Sequence, residues 1–144
     1  MIQERLIGYI EQSIRQNWEI EALSNYKEKG YSYKEIAEKI LKLHILFKGS
    51  GIKEGDKIAL IGRNSANWCV TYLASVTFGA VVVPILPDFK PDDLTNIINH
   101  SDSRLLFVDD KIACADSALS RCAQWSDGAL SILECNHEST TQHK

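Results

Sequence analysis

The sequence predicts an α/β fold built around part of a doubly wound parallel sheet. Three short apolar runs are predicted as strands, Lys57–Ile61, 80–85 and 104–108, and two helical segments separate them, Ala66–Phe78 and Pro91–Ser101. This alternation (βαβαβ) indicates a parallel sheet with crossover helices. Such sheets bind ligands at the carboxyl ends of their strands. No phosphate-binding loop follows any of the three runs. The pattern therefore suggests a nucleotide-handling enzyme whose reacting groups lie outside this chain.

Two helices and a small β-hairpin are predicted ahead of the sheet. Residues 3–16 carry apolar side chains at helical spacing and are predicted as a packing helix. Residues 17–24 alternate apolar and acidic positions, which predicts a strand. Its side chains predicted to face inward are Trp18, Ile20 and Ala22. Residues 30–33, after the polar turn 25–30, are predicted to complete an antiparallel hairpin.

The second helix is predicted to begin at Ser32, because Ser32 and Glu35 match the capping-box pattern that satisfies free backbone amides. Gly49 and Gly51 are predicted to end it. One apolar stripe is predicted to face the core: Ile36, Ile40, Leu43 and Phe47, broadened by Ala37, Leu41 and Ile45. His44, near the carboxyl end, is predicted to be solvated or to face the helix dipole rather than to be catalytic.

The helix Ala66–Phe78 is unusually apolar, with nine apolar residues among its 13. Its polar residues fall four apart and form one narrow seam: Asn67, Thr71 and Ser75. Because a helix on an open sheet face would be about half polar, this one is predicted to be covered on nearly all sides. Either the amino-terminal helices or further protein would cover it. Residues 80–85 (AVVVPI) show no alternation and are predicted as a buried parallel strand, with its pairing loosened at Pro84.

Polar residues follow two of the predicted strands at the positions where such folds bind ligands. Arg63 is placed to meet an anion at the next helix start, while Asn64 or Ser65 caps that helix. The acidic pair Asp109–Asp110 follows the third strand and has the ligand chemistry of a Mg²⁺ site. Without a phosphate loop nearby, a surface arginine and a solvated acidic turn are the favoured interpretations. No catalytic residue and no metal ligand is therefore predicted, and cofactor-binding residues stay unknown.

Two further groups of polar residues are predicted to be structural. Asp92 and Asp93 begin the helix Pro91–Ser101, where they complement the positive end of its dipole. Cys69 lies in an apolar helix and is predicted to be a small core residue. The remaining cysteines and two histidines lack the close cysteine pairs of zinc modules: Cys114, Cys122, Cys135, His137 and His143.

The composition is that of an ordinary soluble chain. Of 144 residues, 44% are hydrophobic and 24% charged, and the net charge is −3 with both signs interspersed. No basic stripe suggests a nucleic-acid partner. No apolar run approaches the roughly 18–20 residues of a membrane span, and no signal peptide is recognisable. We therefore expect a cytoplasmic protein with reduced cysteines.

The chain changes character near residue 110. We expect residues 1–110 to form the structured part and 111–144 a weakly structured tail, since three of the four cysteines fall in this tail. Residues 113–125 are predicted as a weak helix. Residues 136–144 contain no apolar residue and are predicted to be disordered. A truncated gene, or a junction with unrelated or out-of-frame sequence, is one hypothesis for the change.

Three segments occur in an order that is characteristic of a known family. They are SYKEIAEKILKL, GIKEGDKIALIGRNSANWCVTYLASVTFGAVVVPILP and HSDSRLLFVDD. On these residues the stretch 32–110 resembles the amino-terminal segment of adenylate-forming enzymes, the AMP-binding superfamily. The parts VVVPILP and LLFVDD look most like the long-chain fatty acid–CoA ligase branch.

The resemblance implies a two-step reaction in a longer parent enzyme. ATP and a carboxylic acid would give an acyl-adenylate and pyrophosphate, and CoA would then take the acyl group, with Mg²⁺ shielding the polyphosphate. The family uses a loop ending in Pro-Lys-Gly, a Tyr-Gly-x-Thr-Glu motif, a ribose-binding Asp and a late Lys, none of which is found in this chain. The resemblance therefore implies no catalytic residue here. It also implies no tightly bound cofactor and no activity of this chain alone, with the rest of the enzyme and a fatty acid as partners.

Two alternatives stay open at this point. The chain could be a small self-contained nucleotide-binding module, with a ligand site formed by Arg63, Asn64 and Asp109–Asp110. It could instead be a structural interaction domain that uses the apolar helix Ala66–Phe78 as a docking face.

Overall fold

Among the residues that the structure describes, the fold combines a four-stranded sheet, a separate hairpin and the four helices α1 to α4. The computed structural model describes residues 5–109 and Ile112, and the backbone of 130–134. In chain order the elements are α1 Leu6–Gln16, β1 Glu21–Leu23, β2 Tyr31–Ser32, α2 Tyr33–Gly49, β3 Lys57–Ile61, α3 Ala66–Phe78, β4 Val81–Ile85, α4 Pro91–Ser101, β5 Leu105–Asp109 and β6 Leu130–Glu134. The predicted α/β class, with two helices and a hairpin ahead of a βαβαβ unit, is confirmed.

The three predicted strands of the main sheet run in one direction. β3 lies between β4 and β5 and is parallel to both, so that Ala59 lies beside Val83 on one side and Leu106 on the other. β6 pairs with β5 in the antiparallel sense, with Phe107 opposite Ile132. β6 is not among the strands that the sequence predicts, so this strand was missed. β6 pairs with β5 over all five of its residues, from Leu130 opposite Asp109 to Glu134 opposite Leu105.

The division of the chain at residue 110 stays a prediction. The helix predicted over 113–125 and the disorder predicted over 136–144 fall outside the described residues. Within the part of the chain that the structure describes, no helix combines the length and the apolar character needed to cross a bilayer.

One face of the sheet is covered by α2 and α3, and we call it the two-helix face. Phe47 of α2 is fully buried at its centre, and its ring meets those of Phe78 and Phe107 edge-on at centroid distances of 5.3 and 5.9 Å. The side chains around these rings are buried residues of α2, the strands and α3: Ile36, Ile40, Ile58, Leu60, Val70, Ala74 and Leu105. Edge-to-face geometry adds stabilisation beyond the area that the rings bury.

The opposite face is covered by α4, and we call it the one-helix face. The spacing of Leu94, Ile97 and Ile98 predicts the buried stripe of α4, and the structure buries Leu94 and Ile98 fully and Ile97 in part. They meet strand residues of alternating positions: Ala59, Ile61, Ile85, Leu106 and Val108. Because successive side chains of a strand point to opposite faces, the same strands contribute to two separate cores.

The capping box at the start of α2 is confirmed. The Ser32 hydroxyl accepts a hydrogen bond from the Glu35 amide at 3.2 Å, and the Glu35 carboxylate accepts one from the Ser32 amide at 2.8 Å. This second bond lowers the pKa of Glu35. The predicted broadening of the apolar stripe was wrong in part, because Leu41 and Ile45 are 61% and 71% exposed.

The prediction for α3 is confirmed, since none of its residues is exposed. α2 supplies the second cover that the sequence required. Two residues of the polar seam are satisfied within the helix, because Thr71 donates to the Asn67 carbonyl and Ser75 to the Thr71 carbonyl, each at 2.9 Å. Hydroxyl groups that bond back to the preceding turn can be buried at low cost.

His44 joins α2 to α3, and the expectation of a solvated or dipole-facing ring was wrong. Its Nε2 atom lies 2.9 Å from the Ala74 carbonyl oxygen and 3.1 Å from the Thr77 hydroxyl. The ring also stands edge-on to Phe78 at 5.3 Å. His44 is therefore a contact between helices, which a single-helix wheel does not reveal.

β4 is an edge strand, and the prediction that it is fully buried was wrong. The strand order β4-β3-β5-β6 leaves one side of β4 unpaired among the described strands. Val81 is 48% exposed, and Pro84 is exposed as well. A proline is tolerated at such an edge because no neighbouring strand needs its missing amide.

The segment before the hairpin was also predicted incorrectly. Only Glu21–Leu23 forms the strand β1, and Trp18 and Ile20 are 41% and 58% exposed. Residues 17–20 form a turn whose backbone bonds to the start of α2. The Trp18 carbonyl accepts from the Lys34 amide at 2.9 Å, and the Ile20 carbonyl accepts from the Tyr33 amide at 3.0 Å. These bonds satisfy free amides at the start of α2, so the turn is stabilised over a longer strand.

Candidate functional site

The carboxyl ends of β3, β4 and β5 lie at one edge of the sheet, which we call the carboxyl edge. The β3–α3 loop (residues 62–65) leaves this edge next to the end of β5. A methyl group built on Gly62 would lie 3.4 Å from the Trp68 ring and 3.6 Å from the Cβ atom of Asp109. These are ordinary van der Waals distances, so Gly62 lies beside α3 and the end of β5 with room for a methyl group. This edge is where parallel α/β sheets bind their ligands.

The structure brings some of the predicted ligand-site residues to this edge. Arg63 and Asn64 are exposed on the loop, and Asp109 ends β5 nearby and is partly buried. Arg63 faces Asp88 at 4.0 Å between Nη2 and Oδ1, and both side chains are more than 80% exposed. An ion pair this long and this solvated contributes little to stability. Asp110 falls outside the described residues.

The start of α3 uses the chain's own side chains to satisfy its amides. The Ser65 hydroxyl accepts from the Trp68 amide at 3.1 Å, which is one of the two caps that the sequence predicts. The Asn25 side-chain oxygen accepts from the Ala66 amide at 2.9 Å. Two donors that a helix start would offer to a phosphate are thus already bonded. The self-contained nucleotide module that the sequence left open is not favoured by this geometry.

The other open alternative required α3 to be a docking face. Because none of its 13 residues is exposed and α2 packs along it, α3 offers no exposed apolar side chain to a partner. This arrangement argues against a role for α3 as the docking helix.

Among the described residues, no three histidine, cysteine, aspartate or glutamate side chains converge as a metal site would require. Asp92 and Asp93 are exposed in the first turn of α4, where their charge complements the helix dipole. Cys69 is half-buried on α3 and carries a free thiol. The remaining candidates fall outside the described residues: Cys114, Cys122, Cys135, His137 and His143.

A polar cluster that the sequence reasoning missed lies at the opposite, amino edge of the sheet. The Asp56 carboxylate accepts from the Lys53 amide at 2.8 Å and from the Arg104 guanidinium at 2.9 Å. Arg104 also donates to the Gly51 carbonyl at 3.2 Å. These bonds, the backbone amide first, lower the pKa of Asp56. The cluster ties the entrance of β3 to that of β5, and no local pattern links residues 48 positions apart.

Comparison with known proteins identifies the family of the chain. A sequence model described as "AMP-binding enzyme" matches residues 10–142, which is nearly the whole chain. The chain belongs to the AMP-binding enzyme family. The family named from the ordered motifs is thereby confirmed.

The curated relatives are CoA ligases of several kinds. The chain is 30% identical over 92 residues to "Long chain acyl-CoA synthetase 5" of Arabidopsis thaliana, which covers 62% of this chain and 14% of that protein. It is 32% identical over 87 residues to "Crotonobetaine/carnitine--CoA ligase" of Proteus mirabilis (strain HI4320), covering 60% and 17%. The chain thus spans about one seventh of the length of such relatives.

Solved structures of adenylate-forming enzymes share the fold. The anthranilate CoA ligase AuaEII in complex with anthranoyl-AMP superposes with a TM-score of 0.72 at 19% identity, over 79% of this chain and 22% of that one. The Klebsiella oxytoca NpsA N-terminal subdomain superposes with a TM-score of 0.64 at 19% identity, over 73% and 27%. For this AMP-binding family member, the described sheet and helices therefore match the amino-terminal part of such enzymes.

Proposed function

We propose that this chain forms the opening part of the adenylation domain of an ATP-dependent acid–thiol ligase whose acid is a long-chain fatty acid. The observation that carries the proposal is the family match over residues 10–142, joined to CoA ligases among the curated relatives. The long-chain acid is supported by two relatives described as long chain acyl-CoA synthetases. Other relatives are described as ligases of crotonobetaine/carnitine and 4-hydroxybutyrate, so the acid needs its own test.

The contribution of the described residues to this reaction is structural. Adenylation needs cations and oriented donors around a polyphosphate. The described residues do not form a cradle for such a group, because the amides of Ala66 and Trp68 are bonded within the chain and no metal cluster converges among them. We therefore propose that this segment builds one flank of the sheet. The rest of the enzyme would bring the groups that bind ATP, Mg²⁺ and CoA, and we propose that the enzyme works in the cytoplasm.

The role as an adenylation flank is tested by a segment exchange. Residues 32–109 replace the matching segment of "Long chain acyl-CoA synthetase 5", and exchange between ATP and pyrophosphate is measured with hexadecanoate. We expect the hybrid to catalyse acid-dependent exchange and the isolated 144-residue chain to show none. A folded hybrid without exchange would contradict the structural role, and exchange by the isolated chain would contradict its predicted inactivity.

The acid is tested separately, on the product of the gene with its coding sequence beyond Lys144. We expect that sequence to encode a Pro-Lys-Gly loop and a Tyr-Gly-x-Thr-Glu motif. We expect the purified protein to prefer hexadecanoate over crotonobetaine and 4-hydroxybutyrate by at least about tenfold in kcat/KM, because a pocket that buries a long chain gains roughly 0.8 kcal/mol per methylene. A preference for either short acid would reject the long-chain assignment and leave the family assignment intact.

A further inference from the structure

The hairpin β1–β2 reaches the carboxyl edge of the sheet through the side chain of Asn25. Asn25 begins the turn that joins the two strands, and its carbonyl accepts from the Glu28 amide at 3.1 Å. Its side-chain nitrogen donates to the Glu28 carboxylate at 2.8 Å. Because the nitrogen is held by an acceptor, the side-chain oxygen faces the Ala66 amide and accepts from it at 2.9 Å. The orientation of the amide group is thus fixed at both ends.

A second side chain of the hairpin makes a parallel contact. The Tyr31 hydroxyl donates to the Asn67 side-chain oxygen at 3.2 Å, and Lys39 lies over the Tyr31 ring at 4.7 Å. The first two residues of α3 therefore each bond to a hairpin residue that is 41 or 36 positions earlier in the chain. Neither bond belongs to a regular helix or sheet, so each depends on where the hairpin lies.

The hairpin is itself held in a defined shape. Gly30 is buried just before β2, and a methyl group built on it would lie 2.7 Å from the Leu23 carbonyl oxygen. The two strands can therefore approach each other at this point only with glycine. A hairpin closed in this way can hold Asn25 in a fixed place against α3.

We infer that Asn25 is a positioning residue: it ties the hairpin to the start of α3 and thereby fixes the β3–α3 loop at the carboxyl edge. The loop ends at Ser65, one residue before the amide that Asn25 bonds, and Gly62 at its other end lies beside Trp68 and Asp109. The exposed Arg63 lies between these positions, so the place of its backbone depends on the bond that the Ala66 amide donates to Asn25. This inference concerns the isolated chain and goes beyond the proposed function, since it holds whichever acid the parent enzyme uses.

The inference is tested by amide hydrogen exchange on the ¹⁵N-labelled 144-residue chain. Asn25→Ala is expected to speed exchange of the Ala66 amide about fivefold, which corresponds to the roughly 1 kcal/mol of a helix cap. It is also expected to shift the resonances of residues 62–65. The matched control is Asn96→Ala on the exposed face of α4, which should change neither. An unchanged Ala66 amide, or an equal change of all amides including those of β3, would overturn the inference.

Rescue separates positioning from a general loss of stability. In the double variant Asn25→Asp with Glu28→Gln, the new carboxylate still accepts from Ala66 and takes a bond from the new amide at position 28. We expect this pair to restore slow exchange at Ala66, whereas failure of a folded double variant to do so would overturn the inference. If Asn25→Ala does not fold, Tyr31→Phe offers a milder variant that keeps the ring. It should speed exchange at Ala66 by less than Asn25→Ala is expected to, and it should leave the β3 amides unaffected. Equal acceleration at Ala66 and at the β3 amides would contradict a local contact between the hairpin and α3.

Discussion

The two faces of the sheet are covered to very different degrees. On the two-helix face, none of the 13 residues of α3 is exposed, and a second helix lies over it. On the one-helix face, seven of the eleven residues of α4 are exposed, and Leu94 and Ile98 are its buried residues. The strands supply equally apolar side chains to both faces. The difference therefore comes from the helices, and it indicates that α4 depends on the sheet more than the sheet depends on α4.

The physical basis of this difference is the number of partners that each buried side chain has. Phe47 contacts rings from α3 and from β5, so its removal affects three elements at once. Leu94 belongs to α4, the one helix on its face, and packs against strand residues. Stability in a domain is distributed unevenly, and elements with few buried contacts open first. We therefore expect the two faces to respond differently to equivalent substitutions.

The largest effect is expected at the centre of the two-helix face. Phe47→Ala should lower the free energy of unfolding by about 3–5 kcal/mol, since it leaves a cavity that the neighbouring rings cannot move in to fill. Urea unfolding at pH 7 measures the change. The control is Ile45→Ala on the exposed side of the same helix, expected to stay within about 0.5 kcal/mol. Equal losses for the two variants would show that the two-helix face is not the main core.

A smaller and more local effect is expected on the one-helix face. Leu94→Ala should cost about 2–3 kcal/mol, at the lower end for a buried leucine, because a peripheral helix can shift to fill part of the space. Hydrogen exchange should speed up in α4 before it does in α3. Asn96→Ala on the same helix serves as control and should not speed exchange in α4, since alanine favours the helix over asparagine. Simultaneous loss of protection in α3 and α4 would contradict the unequal dependence of the two faces.

The smallest effect is expected at the amino edge, where Asp56 and Arg104 join the strands that both faces share. The pKa of Asp56 is lowered in the folded chain, so its carboxylate stabilises the fold above the usual Asp pKa of about 4. That contribution is lost as the pH falls below about 4 and through the lowered folded pKa. Asp56→Asn should therefore cost less than about 1 kcal/mol at pH 7 and flatten the acid limb of the stability profile.

Urea unfolding between pH 7 and pH 2 checks this prediction. Part of the acid dependence should survive in Asp56→Asn, because the pKa of Glu35 is lowered as well. Asn96→Ala changes no ionisable group and should follow the wild-type profile. Identical profiles for Asp56→Asn and the wild type would mean that the contact does not stabilise the folded chain.

Local patterns were most informative where one element decides its own structure. The bounds of Lys57–Ile61, Ala66–Phe78 and Pro91–Ser101 were predicted as the structure has them. The capping box of Ser32 and Glu35 and the stripe of Leu94, Ile97 and Ile98, of which Ile97 is only partly buried, follow from spacing alone. In each case the deciding interaction joins residues three or four apart, or alternates along one strand, so the sequence contains it directly.

The errors share a different origin. The exposure of Val81 follows from the place of β4 at the sheet edge, and the turn at residues 17–20 follows from bonds to the start of α2. The contact of His44 with α3 and the bond from Asn25 to Ala66 each join residues 30 or more positions apart. The candidate site was affected in the same way. Arg63 and Asp109 were placed correctly at one edge, but the occupied amides beside them depended on the hairpin.

The sequence by itself determined the class of the fold, the parallel direction of the three predicted strands and the family, because periodicity, caps and ordered motifs are properties of neighbouring residues. Only the tertiary structure decided which strand became an edge, which face received two helices and which side chains closed the start of α3. Those outcomes depend on distances between segments that are remote in the chain. They are set by the packing of whole elements, which no local pattern records.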